Sequence, residues 1–190
     1  MLTPKEFVAA WGTDESPLLR FSKKCLESLA IFKEDKVFLM EAGLPEAAAP
    51  FLNFEVSESL PALAEAYRQP SEFEIYRLIG SDGSGNPIAL DENHDGEVVY
   101  LDHENRFARV LINRSVRQLC ASLLAYRKLI RDAQASFGQD AFLDGKASPS
   151  DRQELRRELM RIDEAAIQPR CFWHDELGNL DANAGQGNQP

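Results

Sequence analysis

Residues 73–113 read FEIYRLIGSDGSGNPIALDENHDGEVVYLDHENRFARVLIN, and the spacing of their apolar runs decides the fold. FEIYRLIG, PIALD, EVVYLD and FARVLIN follow one another, separated by SDGSGN, ENHDG and HENR. Short apolar runs broken by gaps rich in Gly, Asp and Asn predict strands joined by tight turns, paired antiparallel in chain order.

Helical patterns lie on either side of this meander. After it, Ser115 can cap a long helix to about Ala133, with Val116, Leu119, Cys120, Leu123 and Ile130 recurring at helical spacing. Residues 134–149 read as a loop, and Ser150 with Gln153 as a capping box for a helix through Ala166 carrying the stripe Leu155, Leu159 and Ile162.

Before the meander, Thr3, Pro4 and Glu6 form a capping box for a short helix that ends at Gly12. A less regular stretch leads to a helix over 34–42, closed by Gly43 and Pro45; a short strand over 51–55 and a short helix over 61–68 follow. The expected architecture is α+β, with one mostly antiparallel sheet of about five or six strands flanked by helices. Residues 1–177 are read as a single domain, and 178–190, with little to bury, as a disordered tail.

A chain of 190 residues with 44% hydrophobic and 27% charged residues suits one compact core and excludes collagenous or low-complexity classes. The formal charge of −10 repels nucleic-acid phosphates and anionic lipid, so neither is expected as a partner. No window has the run of about 18 apolar residues that a membrane span needs, and the start lacks a basic segment followed by an apolar one, which makes the cytoplasm the expected address. Cys25, Cys120 and Cys171 match no disulfide framework and read as reduced thiols.

The chemical motifs have structural readings that suit their surroundings better. Asp91, Asn93, Asp95, Gly96 and Asp102 have the spacing of a calcium loop, but the flanks are strand-patterned and Asp95-Gly96 suits a hairpin turn. Gly80, Gly83 and Gly85 precede a strand rather than a helix, unlike a phosphate loop. Cys171 and His174 lack two further closely spaced ligands for zinc. No nucleophile elbow is present, and Asp102 and His103, adjacent on a strand, face opposite ways. Arginines 152, 156, 157 and 161 alternate with acids, as on a solvated helix face. No catalytic residue, metal site or cofactor is assigned, and no enzyme is expected.

One charge feature stands out. Between Arg77 and Arg106 there is no Lys or Arg, while Asp82, Asp91, Glu92, Asp95, Glu97, Asp102 and Glu104 all fall in the hairpins. If they cluster in space they form an acidic face for a basic protein, and these seven are the candidate partner-binding residues.

The order Gly43-Leu44-Pro45, Ile79-Gly80 before Asp82, Ile88 to Asp91, Gly96 with Val98, Leu101-Asp102, and Leu111-Ile112-Asn113-Arg114-Ser115 opening a helix resembles the SUKH superfamily, most closely its fourth subgroup of bacterial immunity proteins. The resemblance covers roughly residues 34–130, and the segment from Ile162-Asp163 to Trp173 is similar to that subgroup's C-terminal extension. It implies an α+β fold without enzymatic activity, in a cytoplasmic protein that binds and neutralises a toxin of a contact-dependent or polymorphic system, often one acting on nucleic acid. The expected partner is therefore a cognate, basic toxin. A regulatory or scaffold module of the same fold is the alternative, and a hydrolase or transferase with a site assembled from distant segments the third reading.

Overall fold

The computed structural model describes residues 1–13 and 15–186. The first half is built from short elements: α1 (Pro4–Trp11), β1 (Leu18–Leu19), α2 (Lys23–Leu26), α3 (Lys33–Glu41), β2 (Leu44–Pro45), β3 (Ala47–Ala48), β4 (Leu52–Phe54) and α4 (Leu63–Ala66). The meander follows as β5 (Tyr76–Asp82), β6 (Pro87–Asp91), β7 (Glu97–Asp102) and β8 (Ala108–Asn113). Three longer helices complete it, α5 (Val116–Phe137), α6 (Pro149–Ile162) and α7 (Phe172–Gln186). The fold is α+β, as the patterning predicts.

Strands β3 to β8 pair in chain order, antiparallel throughout, in one six-stranded sheet, and β1 with β2 forms a separate two-stranded ladder. Two glycines make the close approaches this layout needs. A Cβ on Gly80 would lie 2.0 Å from the Asn53 carbonyl oxygen, where β4 crosses the bulge of β5. Gly96, at φ +91°, closes the β6–β7 turn, and a Cβ there would press 2.7 Å from Ile31.

One face of the sheet carries the main core. Ile79, Ile88, Leu90, Val98 and Ile112 meet Leu119, Cys120, Leu123 and Tyr126 of α5, with Phe7, Phe38, Leu159 and Trp173 closing around them. The opposite face holds a smaller cluster, Leu63, Ala89, Val99 and Leu101, edged by Phe73, Tyr76 and Phe107.

The C-terminal third departs from the sequence reading in four places. Helix α5 runs to Phe137, past Ala133, because the following Gly138, not Gln134, ends it. The cap of α6 is Ser148, whose side chain accepts from the Asp151 N–H with Pro149 in the first turn, rather than Ser150 with Gln153. That helix stops at Ile162, and a 3₁₀ turn spans Glu164–Ile167.

Where the sequence reads as a tail from residue 178, α7 continues to Gln186. Leu177 is buried, Leu180 packs on the core, and Asp181 is held by Arg152 and Arg156, both at 3.1 Å, which gives this stretch its anchorage. Residues 187–190 of the expected tail lie outside the described residues.

Trp173 is fully buried against Tyr126 and Phe172, and its indole N–H donates to the Asn113 side chain at 2.9 Å. Trp173→Ala removes that packing and leaves an amide oxygen without its donor, so urea denaturation should show a loss of about 3 kcal/mol or more. Among the described side chains, ending the chain after Leu177 takes Leu180 and the exposed Asp181 pairs from the packed region, for which about 1 kcal/mol is expected.

Candidate functional site

Successive turns of a meander fall at alternating ends of the sheet, and this divides the seven hairpin acids. Asp82, Asp102 and Glu104 lie at one end, where the β5–β6 and β7–β8 turns are tied by the Asn86 side-chain oxygen accepting from the His103 N–H at 3.0 Å. Asp91, Glu92, Asp95 and Glu97 lie at the other, around the β6–β7 turn. The single acidic face expected from the sequence is thus two separate groups.

Most of these carboxylates already have internal work. Asp91 is fully buried; its Oδ2 accepts from Arg109 Nε at 2.8 Å and lies 2.8 Å from His94 Nδ1, while Arg109 also bonds Glu97. Glu92 accepts from Arg77 at 2.5 Å and from the Ala30 N–H at 2.8 Å. Asp82 accepts from the Ser84 and Asn86 N–H groups, and Asp102 from those of Glu104 and Asn105. At the β6–β7 end the basic gap from residue 78 to 105 is filled in space by Arg77 and Arg109, from either side of it. Asp95 and Glu104 remain as exposed hairpin acids.

The same arrangement disposes of the calcium-like spacing. Asp91 is turned toward an arginine and Asp102 caps a 3₁₀ turn, so the two ends of the motif do not face a common centre. Among the described residues no three His, Cys, Asp or Glu side chains converge as a metal site.

The β6–β7 turn forms one end of a groove of about 1410 Å³. Its floor and long walls are α5 and α6: Arg117, Ala121, Leu124, Ala125 and Lys128 recur every three or four residues along α5, and Asp151, Glu154, Leu155, Glu158 and Ile162 do so along α6. Asn93, His94, Asp95, Glu97 and Phe32 close the hairpin end, with Leu2 and Glu6 beside them. The Phe32 N–H donates to the Asp95 carbonyl at 3.1 Å, which fixes the two relative to each other.

The groove carries an apolar floor under a charged rim, and its four basic side chains are all engaged. Arg114 pairs with Asp163 at 2.7 Å, Arg117 with Asp35 at 2.8 Å, Lys128 with Asp132 at 2.5 Å and Arg161 with Glu158 at 2.5 Å. Glu6, Asp95 and Asp151 line it with no basic side chain at salt-bridge distance among the described residues, and the Met1 ammonium in the same lining acts on Glu6. Beyond that ammonium, the rim offers solvent the negative charge of Asp95 and Asp151. Asp35 lies beneath Arg117, where burial pushes its carboxyl above the ordinary value against the opposing pull of that guanidinium and of the Val116 and Arg117 N–H groups.

Sequence reasoning found the hairpin end of this groove through Asp95 and Glu97 and missed its helical walls. The signal was the second stripe of α5, which mixes Ala and Leu with Arg and Lys and so scores as neither core nor solvated face.

A family model described as SUKH-4 immunity protein matches residues 2–179. No curated protein and no solved structure matches the chain.

Asp91 and Asp95 should separate burial from exposure. Asp91→Ala leaves Arg109 only Glu97 and takes the acceptor of the Asn93 N–H, and should cost about 1–3 kcal/mol in urea denaturation, whereas Asp95→Asn, which keeps a residue tolerant of the left-handed turn, should melt within about 0.5 kcal/mol of wild type. For Asp35, a folded pKa above the unfolded one means that its stabilisation is present at acid pH and lost as pH rises through the folded value. The stability advantage of wild type over Asp35→Asn should therefore shrink as pH rises from the ordinary value of 3.8; an advantage that grows instead would reverse the sign.

Proposed function

The chain belongs to the SUKH-4 immunity protein family, and from that premise we propose that it neutralises a cognate bacterial toxin by stoichiometric binding, without chemistry of its own. The observation that carries this reading is the extent of the match, which takes in the sheet, α5 and the C-terminal extension together. Family membership implies a toxin partner; that the toxin acts on nucleic acid and belongs to a polymorphic system is our finer reading from the family resemblance, and that it is basic is our reading from the chain's net charge of −10.

An acidic binder gains encounter rate from a basic target, because long-range attraction raises the association rate more than it raises the final affinity. Asp95 and Glu104, exposed at opposite ends of the sheet, are the hairpin acids placed to act in this way. Asp82, Asp91, Glu92, Glu97 and Asp102, proposed with them from sequence, would contribute through the field and through the shape of the turns. No helix among the described residues is long and apolar enough to cross a membrane, and we place the encounter in the cytoplasm, where a nucleic-acid-directed toxin meets its target.

The test is growth protection. Co-expression with the product of the adjacent gene should relieve the growth arrest that product causes and yield a one-to-one complex, and raising salt should slow association of the purified pair. Growth arrest that persists at equal expression would contradict the reading.

A further inference from the structure

We propose that the groove between α5 and α6 receives a cationic amphipathic helix of the toxin, an inference that rests on the immunity reading above. Three observations point to this occupant. The floor is laid out by two helices, with Ala121, Leu124 and Ala125 of α5 facing Leu155 of α6. Side-chain ridges at this spacing accept the ridges of a third helix. A strand has nothing to pair with here, since the helices spend their backbone groups internally.

The second observation is charge. Every basic side chain lining the groove is paired with a carboxylate of this chain, while Asp95 and Asp151 have no salt-bridge partner among the described residues. Lysines or arginines flanking the apolar stripe of an incoming helix would meet these carboxylates, whereas an acidic helix or a nucleic-acid strand would be repelled. The third observation is Phe32, 44% exposed at the hairpin end and bonded through its N–H to the Asp95 carbonyl. It offers an apolar anchor beside an acid, suited to a helix that carries both kinds of side chain. The 14 residues of α6 rise about 21 Å, which sets the docked segment at about four turns.

The probe is a synthetic 14-residue peptide with Leu at helical spacing and Lys elsewhere, compared with one in which Glu replaces every Lys. Titration should shift the amide signals of α5 and α6 with the Lys peptide and leave them unmoved with the Glu peptide. Leu124→Lys, or Ala125→Lys if the first variant folds poorly, should weaken binding at least tenfold while circular dichroism stays as in wild type. Asp95→Lys with Asp151→Lys should weaken it at low ionic strength and much less at 0.5 M salt, about 4 Å of screening length. Equal binding of the two peptides, wild-type affinity in both floor variants, or shifts confined to the sheet's far face would overturn the proposal, as would a peptide-independent dimer that buries α5. The same variants in the growth assay separate the two claims. Protection lost in the folded floor variants supports the groove, and protection kept overturns it while immunity stands. If wild type itself gives no protection the immunity reading falls, and the peptide titration alone decides whether the groove takes a cationic helix.

Discussion

The side-chain amide of Asn113 is fully buried where β8 hands the chain to α5, and both of its ends are bonded. Its oxygen accepts from the Trp173 indole at 2.9 Å, and its nitrogen donates to Asp163 and Ser122, each at 3.3 Å. Asp163, also buried, takes the Arg114 N–H at 2.8 Å and the Arg114 guanidinium at 2.7 Å. A buried amide is costly unless all its bonds are made, so this group accepts only one placement of the C-terminal segment against the sheet. The bulge that pairs Val98 with Asn113 and Val99 with Leu111 turns both Ile112 and Asn113 into the interior, which is what brings the amide to its partners. Because Asp163 immediately follows α6, the same contacts set where that helix lies along α5, and hence the width of the groove.

A second set of constraints holds the hairpin end. Gly96 lets the β6–β7 turn sit against Ile31, Glu92 binds the Ala30 N–H, and the Asp95 carbonyl receives the Phe32 N–H. Arg109 reaches back from β8 to the buried Asp91 and to Glu97. Acids that look surplus in the linear sequence are thus largely consumed in shaping the turn, and what remains outward is a small number of carboxylates around an apolar trough. Buried pairs of this kind contribute less to net stability than to a single geometry, since removing either partner is what costs most.

The meander was legible because period-two apolar runs and Gly/Asp turns are local signals, and β5 to β8 lie where those signals put them. The first half was less so: β1, β2 and β3 are two residues each and exist by pairing rather than by propensity. Ser150 competes with Ser148 for the cap of α6, and only the proline between them, placed in the first turn, decides for Ser148. Asn113, Asp163 and Trp173 were visible as parts of a resembling pattern, yet nothing in the chain order says that residues 50 and 60 apart share hydrogen bonds. The clustering expected of the hairpin acids failed for a related reason, since turn alternation and the reach of Arg77 and Arg109 are properties of the assembled sheet.

Helices α6 and α7 are one unit clamped to the body through Asn113, and α6 forms a wall of the groove. Native-state amide hydrogen exchange on Asn113→Ala measures this directly. Protection in α6, the Glu164–Ile167 turn and α7 should fall together, while β5 to β8 and the core-facing half of α5 keep theirs. Unchanged protection in α6, or a uniform loss across the whole chain, would contradict the claim that this one buried amide holds the groove in place.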